Sequence, residues 1–129
     1  MCYLEYKRSF SWRLEAGDRV IKEVDKSFYK YGETVIPVDI RSFFKIETYY
    51  SGDEVDISII FKGKKYDAKI RFENNFNRSK LKMSSNLLKS IKSCIDNLFI
   101  QGNVYKNNIV VIFVKKNTNT YYMTLNVEI

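Results

Sequence analysis

Residues 53–73, DEVDISIIFKGKKYDAKIRFE, constrain the fold of this chain more than any other stretch. Val55, Ile57, Ile59 and Phe61 alternate with polar residues, apart from Ile60, and Tyr66, Ala68, Ile70 and Phe72 repeat the pattern beyond KGKK. A side-chain period of two belongs to a strand with one buried face. Two such runs around a glycine-containing turn predict an antiparallel hairpin. If Phe61 lies opposite Tyr66, then Asp67 falls opposite Ile60 and Asp56 opposite Arg71.

A second hairpin follows near the end of the sequence. NIVVIFV (108–114) is apolar at nearly every position, as in a strand covered on both faces. KKNTNT is its turn, and Tyr121, Met123, Leu125, Val127 and Ile129 share one side of the return. Between the hairpins, SKLKM reads as a short strand with Leu81 and Met83 inward. Ser84 or Ser85 then caps a helix whose Leu87, Leu88, Ile91, Ile95, Leu98 and Phe99 form one apolar stripe. Upstream, ETVIP predicts a strand through Val35 and Ile36 that stops at Pro37, with a short helix over Val38–Phe44. RVIKEV (19–24) fits a strand or a helical turn equally. The order of strand, short helix, hairpin, strand, helix, hairpin predicts a mostly β domain with two helices, most simply a small open barrel.

The 129 residues suffice for one domain and one core. Aromatic content is 16%, with ten Tyr and nine Phe, which suits half-buried pleated surfaces. No apolar run has the roughly 20 residues of a membrane span. The stretch MCYLEYKRSF lacks the unbroken apolar segment of a signal peptide, so a cytoplasmic location and no membrane partner are expected. Cys2 and Cys94 are the only cysteines, no disulfide is expected, and Cys94 is expected to be an inert thiol near the helix stripe. There is no histidine, which removes His-based triads, His general bases and the usual His-containing zinc sites. No phosphate-binding or nucleophile-elbow motif occurs, and no metal or cofactor is expected.

One catalytic pattern can be fitted. Asp56, Asp67 and Lys69 have the spacing D-x10-D-x-K of metal-dependent nucleases. In the register given above, the two carboxylates lie four ladder positions apart, about 13 Å, too far to share an ion. The chain is therefore expected not to be an enzyme.

Charge is distributed unevenly. The net charge is +7; residues 1–73 hold 14 basic and 13 acidic side chains, and residues 74–129 hold eight and two. The excess begins within FENNFNRSKLKM (72–83), where an apolar strand meets three asparagines, an arginine and two lysines. A basic half attracts polyanions, nucleic acid first. A solvated lysine-rich surface is the plain alternative.

These segments resemble the DNA-binding pseudobarrel domain of auxin-response-type plant transcription factors and of the specificity domains of EcoRII-type restriction endonucleases. The resemblance runs over about residues 18–129. It rests on DKS (25–27), the strand ending in Ile36-Pro37, the short helix ending in Phe43 and Phe44, the hairpin around FKGKKY, the basic strand RSKLKM, the second helix and the last hairpin. It implies a pseudobarrel in which two loops at one end of the barrel grip the DNA major groove, here Asp25–Glu33 and Glu73–Lys80. The DNA-binding residues implied are Lys26, Ser27, Tyr29, Lys30 and Tyr31 in the first arm, and Asn74, Asn75, Asn77, Arg78 and Lys80 in the second. Asn75, Asn77 and Arg78 suit base edges; Lys80, Lys26, Ser27 and Lys30 suit phosphates; Tyr29 and Tyr31 suit backbone or sugar. Asp25 and Glu33 oppose a phosphate clamp. Phe28 and Phe76 are expected as core plugs, and Lys89 and Lys92 as solvent-facing.

The function expected is a sequence-specific double-stranded DNA-binding module, the specificity domain of a restriction or transcription-regulating system. A module this small usually needs a partner or dimerisation for useful specificity in a genome, a nuclease or regulatory protein being the expected kind. The alternatives are a protein-interaction or effector-sensing barrel, an RNA or single-strand binder, and the nuclease above.

Overall fold

The computed structural model describes residues 6–9, 12–15, 18–44, 54–73, 78–101 and 109–127. The elements are β1 (Tyr6–Ser9), β2 (Trp12–Glu15), β3 (Arg19–Glu23), α1 (Lys26–Tyr31), β4 (Glu33–Ile36), a 3-10 helix (Val38–Phe44), β5 (Glu54–Phe61), β6 (Lys64–Glu73), β7 (Arg78–Met83), α2 (Ser85–Gln101), β8 (Ile109–Asn117) and β9 (Thr120–Val127). The strands form one nine-stranded sheet in the order β1-β2-β3-β8-β9-β5-β6-β7-β4, curled into an open half-barrel. Neighbours are antiparallel except β5 and β9, which run parallel with Ile59 beside Tyr121 and Phe61 beside Met123. The mostly β open barrel expected from the sequence is the observed fold.

Alternation sets the faces. Ile57, Ile59, Phe61, Ala68, Ile70, Phe72, Leu81 and Met83 all point into the main core. β8 is covered on both sides, as its unbroken apolar run predicts: Ile109, Val111 and Phe113 join the main core, while Val110 and Ile112 pack with Ile21 in a smaller cluster. Helix α2 closes the core with Leu87, Ile91 and Ile95, all fully buried. Its start is fixed by the Ser84 hydroxyl, which accepts the Leu87 N–H at 3.3 Å. The side chains of Leu98 and Phe99 lie outside the described residues, as does Ile129. Among the described residues no helix is long and apolar enough to cross a membrane.

The register of the first hairpin differs from expectation. Phe61 pairs with Lys64 and Ile59 with Tyr66, so the turn is the two residues Lys62-Gly63. Both have positive φ, 53° and 78°, as a type I′ turn requires. That turn matches the right-handed twist of the flanking strands, which a looser four-residue KGKK turn does not. The tighter turn shifts every partner by two: Asp56 faces Lys69 and Asp67 faces Ser58.

The segment before residue 25, unreadable from hydrophobic period alone, supplies the first strands of the sheet. Lys22 interrupts the inward row Val20, Val24 and is itself fully buried, so the alternation is masked. Trp12 on β2, 1% exposed, packs on Phe113 and edge-on to Phe44, each with centroids 6.0 Å away. Its indole N–H donates to the Val35 carbonyl on β4 at 3.0 Å. That bond links the last strand of the sheet order to the second and draws the half-barrel together.

Candidate nucleic-acid interface

The first arm is a helix, contrary to the loop expected at 25–33. Asp25 is the N-cap: one carboxylate oxygen accepts the Phe28 N–H at 2.9 Å. Gly32 ends the helix in the left-handed region (φ 66°), its N–H bonded to the Phe28 carbonyl at 3.0 Å. A Cβ at Gly32 would sit 3.4 Å from Leu88 and 3.5 Å from Met83, so this position is also closely packed. Both cap residues were present in the sequence, Asp25 before and Gly32 after KSFYKY.

The other Asp25 oxygen accepts from the Lys22 ammonium at 2.6 Å. Asp25 is thus the counter-ion of a buried lysine and the cap of α1, which accounts for one of the two acids in this arm. Burial pulls Lys22 below the ordinary lysine range, against the hydrogen bond and charge of Asp25. Phe28 is fully buried and anchors α1 to the core, as expected for a plug.

These anchors leave one side of α1 outward. Lys26, Ser27 and Lys30 are exposed, and Tyr31 is 62% exposed. Tyr29 is held differently. Its hydroxyl donates to Asp96 on α2 at 2.7 Å, and the Lys92 ammonium lies 5.6 Å from its ring centroid. The Asp96 hydrogen bond pushes the phenol above its usual range. Tyr29 therefore ties α1 to α2, and Lys92, expected to meet solvent alone, packs on it.

In the second arm, Asn74, Asn75, Phe76 and Asn77 lie outside the described residues, as does the Arg78 side chain. Arg78 opens β7, its backbone paired with Glu73. Lys80 is half-buried and 3.6 Å from Glu33, which also lies 3.7 Å from Lys82. The two arms do not share one end of the β4–β7 ladder. Glu33 pairs with Lys82 and Ile36 with Ser79, while the Gly32 carbonyl accepts the Met83 N–H at 2.9 Å. Helix α1 therefore abuts the Met83 end of β7, and the second arm enters at its Arg78 end. Because β4 and β7 are antiparallel, segments preceding each strand must flank opposite ends of the pair. The distance along β7 is about 17 Å.

The outer face of β6 and β7 brings together cations that the sequence reading names only separately. Lys69 and Arg71 on β6 stand opposite Lys82 and Lys80 on β7. Placing the two KxK-like repeats side by side, once both strands are read as alternating, would have found them.

The corrected register also moves Asp56 and Asp67 to diagonal neighbours, about 7–8 Å apart and closer than expected. Both are exposed, and Lys69 lies 3.8 Å from Glu54. Among the described residues no group of three His, Cys, Asp or Glu is placed to hold a metal ion. Cys2 lies outside the described residues; Cys94 is a half-buried free thiol beside a cleft of about 470 Å³ with Phe61, Lys62, Asn97, Met123, Thr124 and Leu125.

No family model matches this chain, and no curated protein does. Among solved structures, the N-terminal domain of Helicobacter pylori LlaJI.R1 aligns with a TM-score of 0.56 at 16% identity, over 83% of this chain and 79% of that one. The hypothetical Arabidopsis thaliana protein At1g16640.1 aligns over 85% of this chain and 90% of its own, at 9% identity and a TM-score of 0.45. At such identities the likeness bears on fold alone: the first of these aligns with the curled, barrel-like sheet described above.

Proposed function

We propose that this chain is a sequence-specific double-stranded DNA-binding module, the specificity domain of a restriction or regulatory system, with no catalysis of its own. The observation that supports it most is the exposed basic and aromatic side of α1: Lys26, Ser27, Lys30 and Tyr31 project from a helix fixed by Asp25, Phe28, Tyr29 and Gly32. Side chains on a fixed helix meet a ligand with little loss of backbone freedom. The basic balance of residues 74–129 adds to this, as does the barrel shared with the LlaJI.R1 domain.

In this reading Lys26, Ser27 and Lys30 take phosphates and Tyr31 takes sugar or backbone. Asn75, Asn77 and Arg78 read base edges, where Asn pairs with adenine and Arg with guanine. Tyr29 positions α1 and does not touch DNA. Lys80 exchanges Glu33 for a phosphate.

The test is fluorescence anisotropy of the protein with a pool of random duplexes at about 50 and 200 mM salt. Binding that weakens with salt, followed by enrichment of a defined motif, supports the reading. No binding at the lower salt ends it. One feature favours a second reading, an effector- or partner-binding barrel: the cleft beside Cys94, with Met123 and Phe61 at its base. Indifference to duplex DNA would turn attention there.

A further inference from the structure

The pairs Lys69 with Lys82 and Arg71 with Lys80 place like charges directly opposite one another on adjacent strands, an unfavourable arrangement in a sheet. All four alternate with buried Ala68, Ile70, Phe72, Ser79, Leu81 and Met83, so they share the outer face. Acids flank this double row instead of dividing it: on β5, Asp56 stands opposite Lys69 and Glu54 opposite Arg71. Glu33 on β4 meets both Lys80 and Lys82, at 3.6 and 3.7 Å, and Glu54 on β5 meets Lys69 at 3.8 Å. Arg71 is exposed and makes no ion pair among the described residues.

We propose that this ladder of paired cations is a track for one phosphate backbone of duplex DNA, which extends the second arm from Lys80 onto Lys82, Lys69 and Arg71. The inference rests on the DNA-binding reading. Helix α1 lies at the Met83 end of β7 and the second arm at the Arg78 end. In this proposal a duplex touching both passes over the outer face between them. That stretch of about 17 Å exceeds the roughly 12 Å width of the major groove, so a backbone bordering the groove falls on it. Lys69, Arg71, Lys80 and Lys82 stand there. A phosphate between opposed cations relieves their repulsion and displaces the shared Glu33 carboxylate. Such contacts set register and orientation and read no sequence.

The experiment compares wild type, the double variant Lys69→Gln/Lys82→Gln and Glu33→Gln, each with a random duplex pool over a salt series. The double variant is expected to lower the slope of log K against log salt by roughly 1.8, two phosphate contacts' worth, equally on all sequences. Glu33→Gln is expected to tighten binding several-fold at low salt, because an anion leaves the track. Wild-type binding with an unchanged slope in the double variant overturns the track and leaves the DNA reading standing. No duplex binding by wild type overturns both. If the double variant does not melt cooperatively, Glu33→Gln decides: tighter binding supports the track, and equal or weaker binding overturns it.

Discussion

The indole N–H of Trp12 donates to the carbonyl of Val35 at 3.0 Å, a bond between β2, next to one end of the sheet order, and β4 at the other. It holds together an open barrel whose edges do not pair along a ladder. Trp12→Phe keeps an aromatic ring against Phe44 and Phe113 but leaves the Val35 carbonyl only the longer bond from the Thr34 hydroxyl, 3.4 Å. The expected loss is about 1–2 kcal/mol in chemical denaturation, with faster amide exchange concentrated in β4 and β2. A loss spread evenly over the core would instead assign the effect to packing.

Asp25 has two duties, so its removal should have a compound effect. Asp25→Ala deletes the cap of α1 and takes the carboxylate counter-ion from the buried Lys22 ammonium. The expected destabilisation is about 3 kcal/mol or more, beyond the roughly 1 kcal/mol typical of a lost cap. Asp25→Asn, which still caps, should show the lost carboxylate charge alone. Lys22 also sets a pH dependence. Its folded value is depressed below 10.5 by burial, so the unfolded chain binds more protons between the depressed value and 10.5. Stability due to this group therefore rises with pH through that window and is lost as pH falls through the depressed value. Lys22→Met should flatten that segment of the stability curve.

Tyr29→Phe tests the tie between α1 and α2. The bond to Asp96 is exposed, and its loss should cost under about 1 kcal/mol. Because the folded phenol is raised above 10.0, its stabilisation is complete below pH 10 and lost as pH rises through the raised value. The wild type and variant should therefore converge at high pH in thermal melts. If Tyr29 itself contacted DNA, the variant would weaken duplex binding more than its small destabilisation explains.

Ser79 is fully buried, and its hydroxyl has no hydrogen-bond partner among the described residues. Ser79→Ala removes an unsatisfied group from the core and should leave stability unchanged or raise it by about 1 kcal/mol. A clear loss in denaturant midpoint would mean that the hydroxyl has a partner when the protein is in water.

Arg78→Ala should weaken binding to a selected motif by about 1–3 kcal/mol while the thermal midpoint stays put. Competition between motif and random duplexes checks this. Equal loss on every sequence would make Arg78 a phosphate contact.

Much of the barrel was legible because period-two alternation and one-sided burial are local signals. Val55 to Phe61, Tyr66 to Phe72, the unbroken run of β8 and the Leu87, Ile91, Ile95 stripe each indicate their own faces. Register was not legible, since it turns on whether Lys62 accepts a positive φ, and that is decided by strand twist. β3 escaped because an inward lysine breaks the hydrophobic pattern, and its partner Asp25 belongs to the next element. Helix α1 escaped although Asp25 and Gly32 bracket it, because six residues carry little periodicity. Of the candidate contacts, Lys26, Ser27, Lys30 and Tyr31 stand exposed together, Tyr29 is engaged elsewhere, and Lys80 shares Glu33 with Lys82.

The sheet order has a consequence for how the molecule forms. β3 is flanked by β8, with Val20 beside Phe113, and β5 lies parallel to β9. Both halves of the core thus wait for strands encoded far downstream, and loop closure over such spans is slow. During synthesis, the β5–β6 hairpin and β7 can pair locally, but their apolar faces stay wet until the β8–β9 hairpin leaves the ribosome and slots between β3 and β5. Until then the uncovered apolar faces favour aggregation, and a truncation anywhere before β9 should give an aggregating fragment and no smaller barrel.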